Sequence, residues 1–200
     1  MIILQKGKSL ELKKKDSAAS YKDICVGVTW GKITKKGFFG GMKQVAVDLD
    51  LSLGFYDASN NLVDQVWYGK LKSRDKSTTH TGDDLAGGKD EDSDNETVLI
   101  DLSKVAMNTN KIAIVLNSFS RDDFSTIPYA RMRLYEGRPN HPTNVITKYD
   151  VANDPKFAGS TSMIMGFIIR DGSSWSIKAV GEATTDRNLK KTLESVKRYL

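Results

Sequence analysis

Two aspartates separated by one residue, Asp48 and Asp50, have the spacing in this 200-residue chain that most directly suggests chemistry. On a β-strand both side chains would project from one face, about 6.5–7 Å apart. Aspartate is disfavoured in strands and like charges on one face repel, so a cation held by both carboxylates would explain the pair. The alternative is a solvent-exposed strand face that carries two aspartates and binds nothing.

The segment Thr79–Glu96 is a second source of oxygen donors, because it is rich in aspartate, serine, threonine and asparagine. Gly87 and Gly88 permit sharp turns that would fold its side chains back on a common centre. Calcium takes about 6–8 oxygen ligands, whereas zinc and copper prefer histidine or cysteine, of which the segment has only His80. The segment predicts a calcium site, and a solvated acidic loop without metal is the alternative.

An EF-hand is excluded as the form of this site. Asp90, Asp92 and Asp94 match the first three ligand positions of an EF-hand loop. Asn95 stands where that loop needs glycine, and Asp101 stands where it needs glutamate. No helix is predicted on either side of the loop, so the context also fails.

The charge of the chain is unevenly distributed. The net charge is +5, but Asp83–Asp101 holds eight acidic residues and one basic residue, so the rest of the chain is strongly basic. The basic residues are scattered and are not interleaved with aromatic ones. Nucleic acid is therefore not expected among the partners.

Residues that could support catalysis are few. The chain has neither a Gly-x-Ser-x-Gly motif nor a P-loop. Cys25 lies in an apolar stretch typical of a core, and a single cysteine excludes an internal disulfide and indicates the cytoplasm. His80 is expected to brace the acidic loop, with a general base as the alternative. No secretory signal and no apolar run of membrane-spanning length is evident. We predict that the protein is not an enzyme.

The elements that must position these residues are mostly strands, because apolar residues recur with a period of two. A short hairpin is predicted within Ile2–Leu12, and a flexible basic loop is predicted over Gly31–Lys43. The fold class is predicted to be all-β, a two-sheet β-sandwich with a long acidic loop. The predicted strands are Ile24–Trp30, Val45–Tyr56, Leu62–Tyr68, Thr97–Leu102, Lys111–Phe119, Ala130–Tyr135 with Arg131 and Arg133 facing out, Asn144–Val151, Ser162–Arg170 and Ser174–Val180.

One α-helix is predicted at the C-terminal end, with Thr185 or Asp186 as its cap. Its apolar face is expected to pack on the sandwich and its basic face to be solvated; docking on a partner protein or an anionic membrane is the alternative. Residues 1–200 are predicted to form one domain, with a core over 24–181 and a helical appendage over 182–200. The apolar face consists of Leu189, Leu193, Val196 and Leu200.

Three motifs resemble those of a known family, the TerD-type domain of tellurium-resistance and bacterial general stress proteins. Asp48-Leu-Asp50-Leu-Ser52 resembles the family's Asp-x-Asp-x-Ser, and His80-Thr-Gly-Asp83-Asp84-Leu85 resembles its His-Thr-Gly-Asp-Asn-Leu. Asp94-Asn95-Glu96 is similar to the end of its Gly-Asp-Asp-Glu. The resemblance extends from about Ile24 to Gly181. It implies a calcium-binding β-sandwich with one or two ions, acting in stress response and tellurite resistance as a scaffold or sensor.

The same resemblance implies a cytoplasmic bacterial protein, with peripheral attachment to the inner membrane face and other tellurite-resistance proteins as partners. It attaches no catalytic activity to the domain. A metal-dependent hydrolase and an adaptor that uses the basic C-terminal helix remain as alternatives. By matching position, the implied metal ligands are Asp48, Asp50, Asp83, Asp84, Asp94, Asn95 and Glu96, with Gly82, Asp90 and Asp92 as further candidates.

One departure from the family pattern bears on the site. Where the family has Phe-Tyr-Asn-Asn, this chain has Trp67-Tyr68-Gly69-Lys70. Two amide side chains are lost and a lysine is gained near the expected ligands. Lys70 is therefore expected to weaken or remove one calcium site.

Overall fold

The structure is a computed structural model that describes residues 2–14, 19–36, 40–88, 93–152 and 154–200. Two six-stranded sheets pack face to face, which confirms the predicted all-β sandwich with a C-terminal helix. The strands are β1 (Ile2–Ile3), β2 (Ser9–Glu11), β3 (Asp23–Trp30), β4 (Ile33–Lys36), β5 (Met42–Val45), β6 (Leu49–Tyr56), β7 (Leu62–Val66), β8 (Thr78–His80), β9 (Glu96–Asp101), β10 (Lys111–Ser118), β11 (Tyr129–Arg138), β12 (His141–Ala152), β13 (Ser162–Asp171) and β14 (Ser174–Thr184). The strand order is β1-β12-β11-β3-β9-β8 in the first sheet and β2-β14-β13-β10-β6-β7 in the second.

The core between the sheets follows from the predicted alternation. On β6, Leu49, Leu51 and Leu53 are fully buried in the cluster of apolar side chains that the two sheets share. The other face of β6 is also covered, and Asp50 is only 7 % exposed. The face predicted to be polar is therefore not a solvent face. A carboxylate placed there is removed from water, which makes its charged form costly.

Three local predictions are corrected by the sheet pairing. Ile2–Leu12 is not a hairpin, because β1 pairs in parallel with β12 and β2 pairs with β14 of the other sheet. The segment thus covers one edge strand of each sheet, and this satisfies backbone groups that a local hairpin would leave exposed. Part of the predicted loop Gly31–Lys43 forms the hairpin β4–β5. The predicted strand Val45–Tyr56 is divided, so that Asp48 lies just before β6.

The C-terminal helix α1 (Leu189–Val196) packs on the outer face of the second sheet. Its cap is Asn188, whose side chain accepts a hydrogen bond from the Lys191 amide at 3.0 Å, rather than Thr185 or Asp186. Leu193 and Val196 are buried in a second apolar cluster, and the Tyr56 hydroxyl donates to the Leu193 carbonyl at 2.7 Å. The predicted packing face is confirmed. Within the described ranges, no helix combines the length and the apolar character needed to cross a bilayer.

The turn that leads into β8 is organised by Asp75. Its carboxylate accepts hydrogen bonds from the Ser73 hydroxyl at 2.6 Å, the Ser77 amide at 2.9 Å and the Ala106 amide at 2.8 Å. Burial alone would raise the pKa of Asp75, but these hydrogen bonds outweigh it and hold the pKa below its ordinary value. Asp75 therefore stabilises the fold as a carboxylate and not as a neutral acid.

We expect Asp75→Asn to lower the free energy of unfolding at pH 7 by about 1–2 kcal/mol, because one amide oxygen cannot replace three accepted hydrogen bonds. A depressed pKa in the folded state gives stability that is present above the ordinary pKa and lost as the pH falls below it. The deficit of the variant should therefore shrink below about pH 4. Urea unfolding at pH 7 and pH 3.5 measures both effects, and a deficit that does not change with pH would contradict the assignment.

Candidate metal centre

Three carboxylates from two separate parts of the chain converge at one point. Asp48 precedes β6, Asp50 is its second residue, and Asp83 lies in the acidic loop (residues 81–95), which joins β8 to β9. One ligand oxygen from each lies within 4.8 Å of the other two. β6 belongs to the second sheet, whereas β8 and β9 belong to the first. The cluster therefore combines acidic side chains that are carried by the two different sheets.

The electrostatics of the cluster are unfavourable for three bare carboxylates. Burial, and then the neighbouring Glu96, Asp48 and Asp83, raise the pKa of Asp50 to about 8. Burial, followed by Asp83 and Asp84, also raises the pKa of Asp48. The Oδ1 atom of Asp48 is buried and has no hydrogen-bond partner in the described part of the chain. Such an oxygen is under-satisfied, and a cation would satisfy it.

His80 holds the acidic loop against β6. Its Nδ1 atom accepts a hydrogen bond from the Gly82 amide at 3.0 Å, and its Nε2 atom lies 3.1 Å from the Leu51 carbonyl oxygen. Because Nδ1 accepts, the proton is on Nε2, which donates to Leu51. The ring is thus a spacer between strand and loop, in agreement with the predicted bracing role. Gly82 contributes its amide to this contact, and its φ is +112°.

A second anchor of the loop is Gly87. Its φ is +62°, in the left-handed region that favours glycine. A Cβ atom at this position would lie 2.4 Å from Nε1 of Trp30, so no larger residue fits. The Gly88 amide donates to the Trp30 carbonyl at 2.8 Å, and Trp30 Nε1 donates to the Val47 carbonyl at 2.8 Å. The predicted folding back of this segment therefore uses the indole of Trp30 as its support.

Three further candidate ligands lie beside the cluster and are engaged by protein groups. Glu96 is 1 % exposed, and its two oxygens accept from the Leu51 amide at 2.7 Å and the Asp84 amide at 3.1 Å. Asp84 accepts from the amides of Ala86 and Gly87 in a local turn. Asn95 accepts from the Trp30 amide at 3.1 Å. These side chains shape the loop around the three converging aspartates.

Asp94 takes part in a different interaction. Its carboxylate accepts from Arg133 Nε at 2.6 Å and from the Tyr135 hydroxyl at 2.7 Å. Arg133 does lie opposite the core-facing residues of β11, but the expectation that it is exposed is wrong, because it is only 3 % exposed. The predicted ligands Asp90 and Asp92 lie outside the described residues.

Tyr68 is a residue near the cluster that the sequence reasoning did not select. Tyr68 lines the same cavity as Asp50. Burial, followed by Asp50, Asp83 and Asp48, raises the pKa of its hydroxyl. The sequence singled out Trp67-Tyr68 as part of a motif that departs from the family, but the residue spacing did not indicate which of the two rings lies near the acids. Lys70, in contrast, does not act on the cluster, because its ammonium group is paired with Asp64.

Comparison with known proteins agrees with this architecture. The model of the TerD domain matches residues 1–195. Stress response protein SCP2 of Bacillus subtilis is 34% identical over 212 residues, covering 100% of this chain and 99% of that protein. Tellurium resistance protein TerD of Serratia marcescens is 32% identical over 189 residues, covering 90% of each chain.

A solved structure shows the same fold. The crystal structure of a homologue of telluride resistance protein (TerD) from Streptomyces coelicolor superposes with a TM-score of 0.62 at 14% identity. The match covers 82% of this chain and 91% of that one. At this identity the structural similarity shows only that the fold is the same. Common ancestry is shown by the domain match and by the identity to the bacterial relatives. The chain belongs to the TerD domain family.

Proposed function

We propose that Asp48, Asp50 and Asp83 bind calcium and that the protein is a stress-response and tellurite-resistance module in which the ion fastens the acidic loop to the sandwich. The observation that carries the proposal is the convergence of three carboxylate oxygens within 4.8 Å of one another. The unpartnered buried oxygen of Asp48 supports it. The wider role rests on relatives named as stress-response and tellurium-resistance proteins.

The donor set favours calcium over other metals. The converging atoms are all carboxylate oxygens, which are hard ligands, and zinc or copper would need histidine or cysteine. Magnesium demands near-ideal octahedral geometry, whereas calcium accepts irregular arrangements. Ligands drawn from the start of a strand and from a separate loop form an irregular arrangement, as calcium accepts, more easily than the octahedral one that magnesium demands. A bound calcium ion would supply the positive charge that the three carboxylates lack.

The chain itself favours a scaffold or sensor over the alternatives. His80, the general base that the sequence offered for a metal-dependent hydrolase, is engaged, since both of its ring nitrogens hold backbone groups. Insertion of α1 into a membrane through its apolar face lacks support, because Leu193 and Val196 are already covered by the second sheet. Docking on a partner or an anionic membrane would have to use the basic residues of the helix. Other tellurite-resistance proteins are the proposed partners.

The proposal is tested by calorimetric titration and thermal unfolding with calcium and with EDTA. A ligand that binds only the folded state adds about 2.7 kcal/mol at 100 times its Kd, so we expect a clear rise in Tm with calcium. Asp83→Asn should remove most of the rise, because it removes one of the proposed ligands. Asp83 is exposed, so its replacement leaves the core intact. Asp171→Asn, at the exposed β13–β14 turn, is the matched control. An unchanged Tm at millimolar calcium would refute the proposal.

A further inference from the structure

A groove of about 900 Å³ lies between the outer face of the second sheet and the start of α1. Ser52 and Asn117 line it from β6 and β10, and Asp50 borders it on the side of the acidic cluster. Its volume is in the range of pockets that bind small organic molecules. The proposed calcium site does not account for this space.

Asn117, which lines the groove, carries a buried hydrogen-bond acceptor that no described residue satisfies. Asn117 is 6 % exposed, and within the described residues its Oδ1 atom has no hydrogen-bond partner. Its Nδ2 atom donates to the hydroxyls of Ser162 and Thr192, both at 2.7 Å. The Ser162 hydroxyl donates to the Asp186 carbonyl at 2.6 Å, so towards Asn117 it can only accept. The amide therefore cannot be turned around, and Oδ1 is an unused acceptor that a ligand could satisfy.

Aromatic side chains form one wall of the groove. Trp67 and Tyr68 both line it, with ring centroids 4.7 Å apart and an interplanar angle of 73°. A Cβ atom at Gly69 would lie 2.5 Å from the Trp67 ring, so the glycine lets the indole lie flat on the backbone. Phe119, 65% exposed, lines the groove as well. Such a wall suits a planar apolar group.

Cationic side chains also line the groove. Arg121, Arg187 and Lys190 line it, and none of them forms an ion pair with a described acidic residue. Among the described lining residues Asp50 is the one acid. The groove also ends at the N-terminus of α1, where the helix dipole favours negative charge. Arginine side chains bind carboxylate and phosphate groups with two parallel hydrogen bonds.

We propose that this groove binds a small planar aromatic anion, with its carboxylate or phosphate at Arg121 and Arg187, its ring against the aromatic wall, and a hydrogen-bond donor at Asn117 Oδ1. This site goes beyond the calcium site and does not need the ion. The anion contact, the ring contact and the hydrogen bond to Asn117 can each be tested alone, either by a ligand that lacks the matching group or by a variant of the protein.

The test is calorimetric titration in EDTA with 6-hydroxy-2-naphthoate, which carries an anion and a donor at opposite ends of a flat ring system. We expect it to bind about tenfold more tightly than 2-naphthol, which lacks the anion, and severalfold more tightly than 2-naphthoate, which lacks the donor. Adding 2-naphthyl phosphate distinguishes a phosphate site from a carboxylate site. Absence of binding by 6-hydroxy-2-naphthoate and by 2-naphthyl phosphate at millimolar concentration overturns the proposal.

Variants of exposed residues complete the test without threatening the fold. Arg187→Gln should weaken binding of the anion about tenfold, the usual effect of losing one charge-assisted hydrogen bond. Phe119→Ala should weaken the naphthoate and the naphthol equally, since it removes only ring contact. Arg198→Gln, on the same C-terminal segment but outside the groove, is the matched control. Equal affinity of Arg187→Gln and the unaltered protein overturns the assignment of the anion.

Discussion

Arg133→Met is expected to lower the free energy of unfolding by about 3–5 kcal/mol, because it takes the guanidinium away from the buried carboxylate of Asp94. The side chains of Arg133 and Asp94 are 4% and 1% exposed, and Nε lies 2.6 Å from Oδ1. The carboxylate also lies over the backbone of Gly27, where a Cβ atom would be 2.2 Å from the Asp94 Cγ. Water cannot replace the guanidinium in so closed a place, so the desolvation cost of the carboxylate is no longer offset by Arg133.

A surface ion pair on the same strand serves as the control. Arg131 pairs with Asp150, which is 54% exposed, and Arg131→Met should cost less than about 1 kcal/mol. Adding Asp94→Asn to Arg133→Met should recover part of the loss, because it removes the buried charge that Arg133 had faced. Urea unfolding at pH 7 measures all three proteins. Equal losses for Arg131→Met and Arg133→Met would show that burial does not decide the strength of the pair.

Asp50→Asn is expected to change stability in opposite directions with and without calcium. In EDTA the variant should be more stable than the unaltered protein, by on the order of 1–3 kcal/mol, because it removes an acid whose ionised form is disfavoured in the folded state by burial among other acids. Burial and the nearby Glu96, Asp48 and Asp83 are what raise the pKa of this group to about 8. In excess calcium the advantage should disappear, since the variant lacks one of the proposed ligands and gains little from the ion.

Thermal and urea unfolding in EDTA and in calcium measure the reversal, with Asp171→Asn as the exposed control. Lower stability of Asp50→Asn in EDTA would contradict the charge repulsion within the cluster. A full calcium response of Asp50→Asn would instead place the ion elsewhere and leave the repulsion intact. The repulsion among the acids and the position of the calcium ion are therefore tested separately.

Much of the sandwich was predictable from local pattern. The alternation through Leu49, Leu51 and Leu53 predicts a strand with one core face, and these residues are fully buried. Asp171-Gly172 predicts a hairpin, and β13 and β14 pair around that turn. The period of α1 likewise predicts which of its residues face the sheet. Such signals succeed because backbone geometry fixes which side chains share a face.

The N-terminal segment and the hairpin β4–β5 were not predictable in this way. Ile2–Ile3 and Ser9–Glu11 pair with strands more than a hundred residues away, in different sheets. Short segments carry too little periodicity to specify a distant edge strand as their partner. Their placement depends on which sheet edges the rest of the fold leaves unpaired.

By itself the sequence determined the chemical type of the site, which is a set of oxygen donors on β6 and on a glycine-containing loop. It also determined which face of each strand its side chains occupy. Only the tertiary structure decided the roles of those donors. It brought Asp48, Asp50 and Asp83 together, and it placed Asp94 on Arg133. The physical reason is that residue spacing sets direction along one element, whereas the path of a loop is set by supports such as Trp30, which lies far away in the sequence.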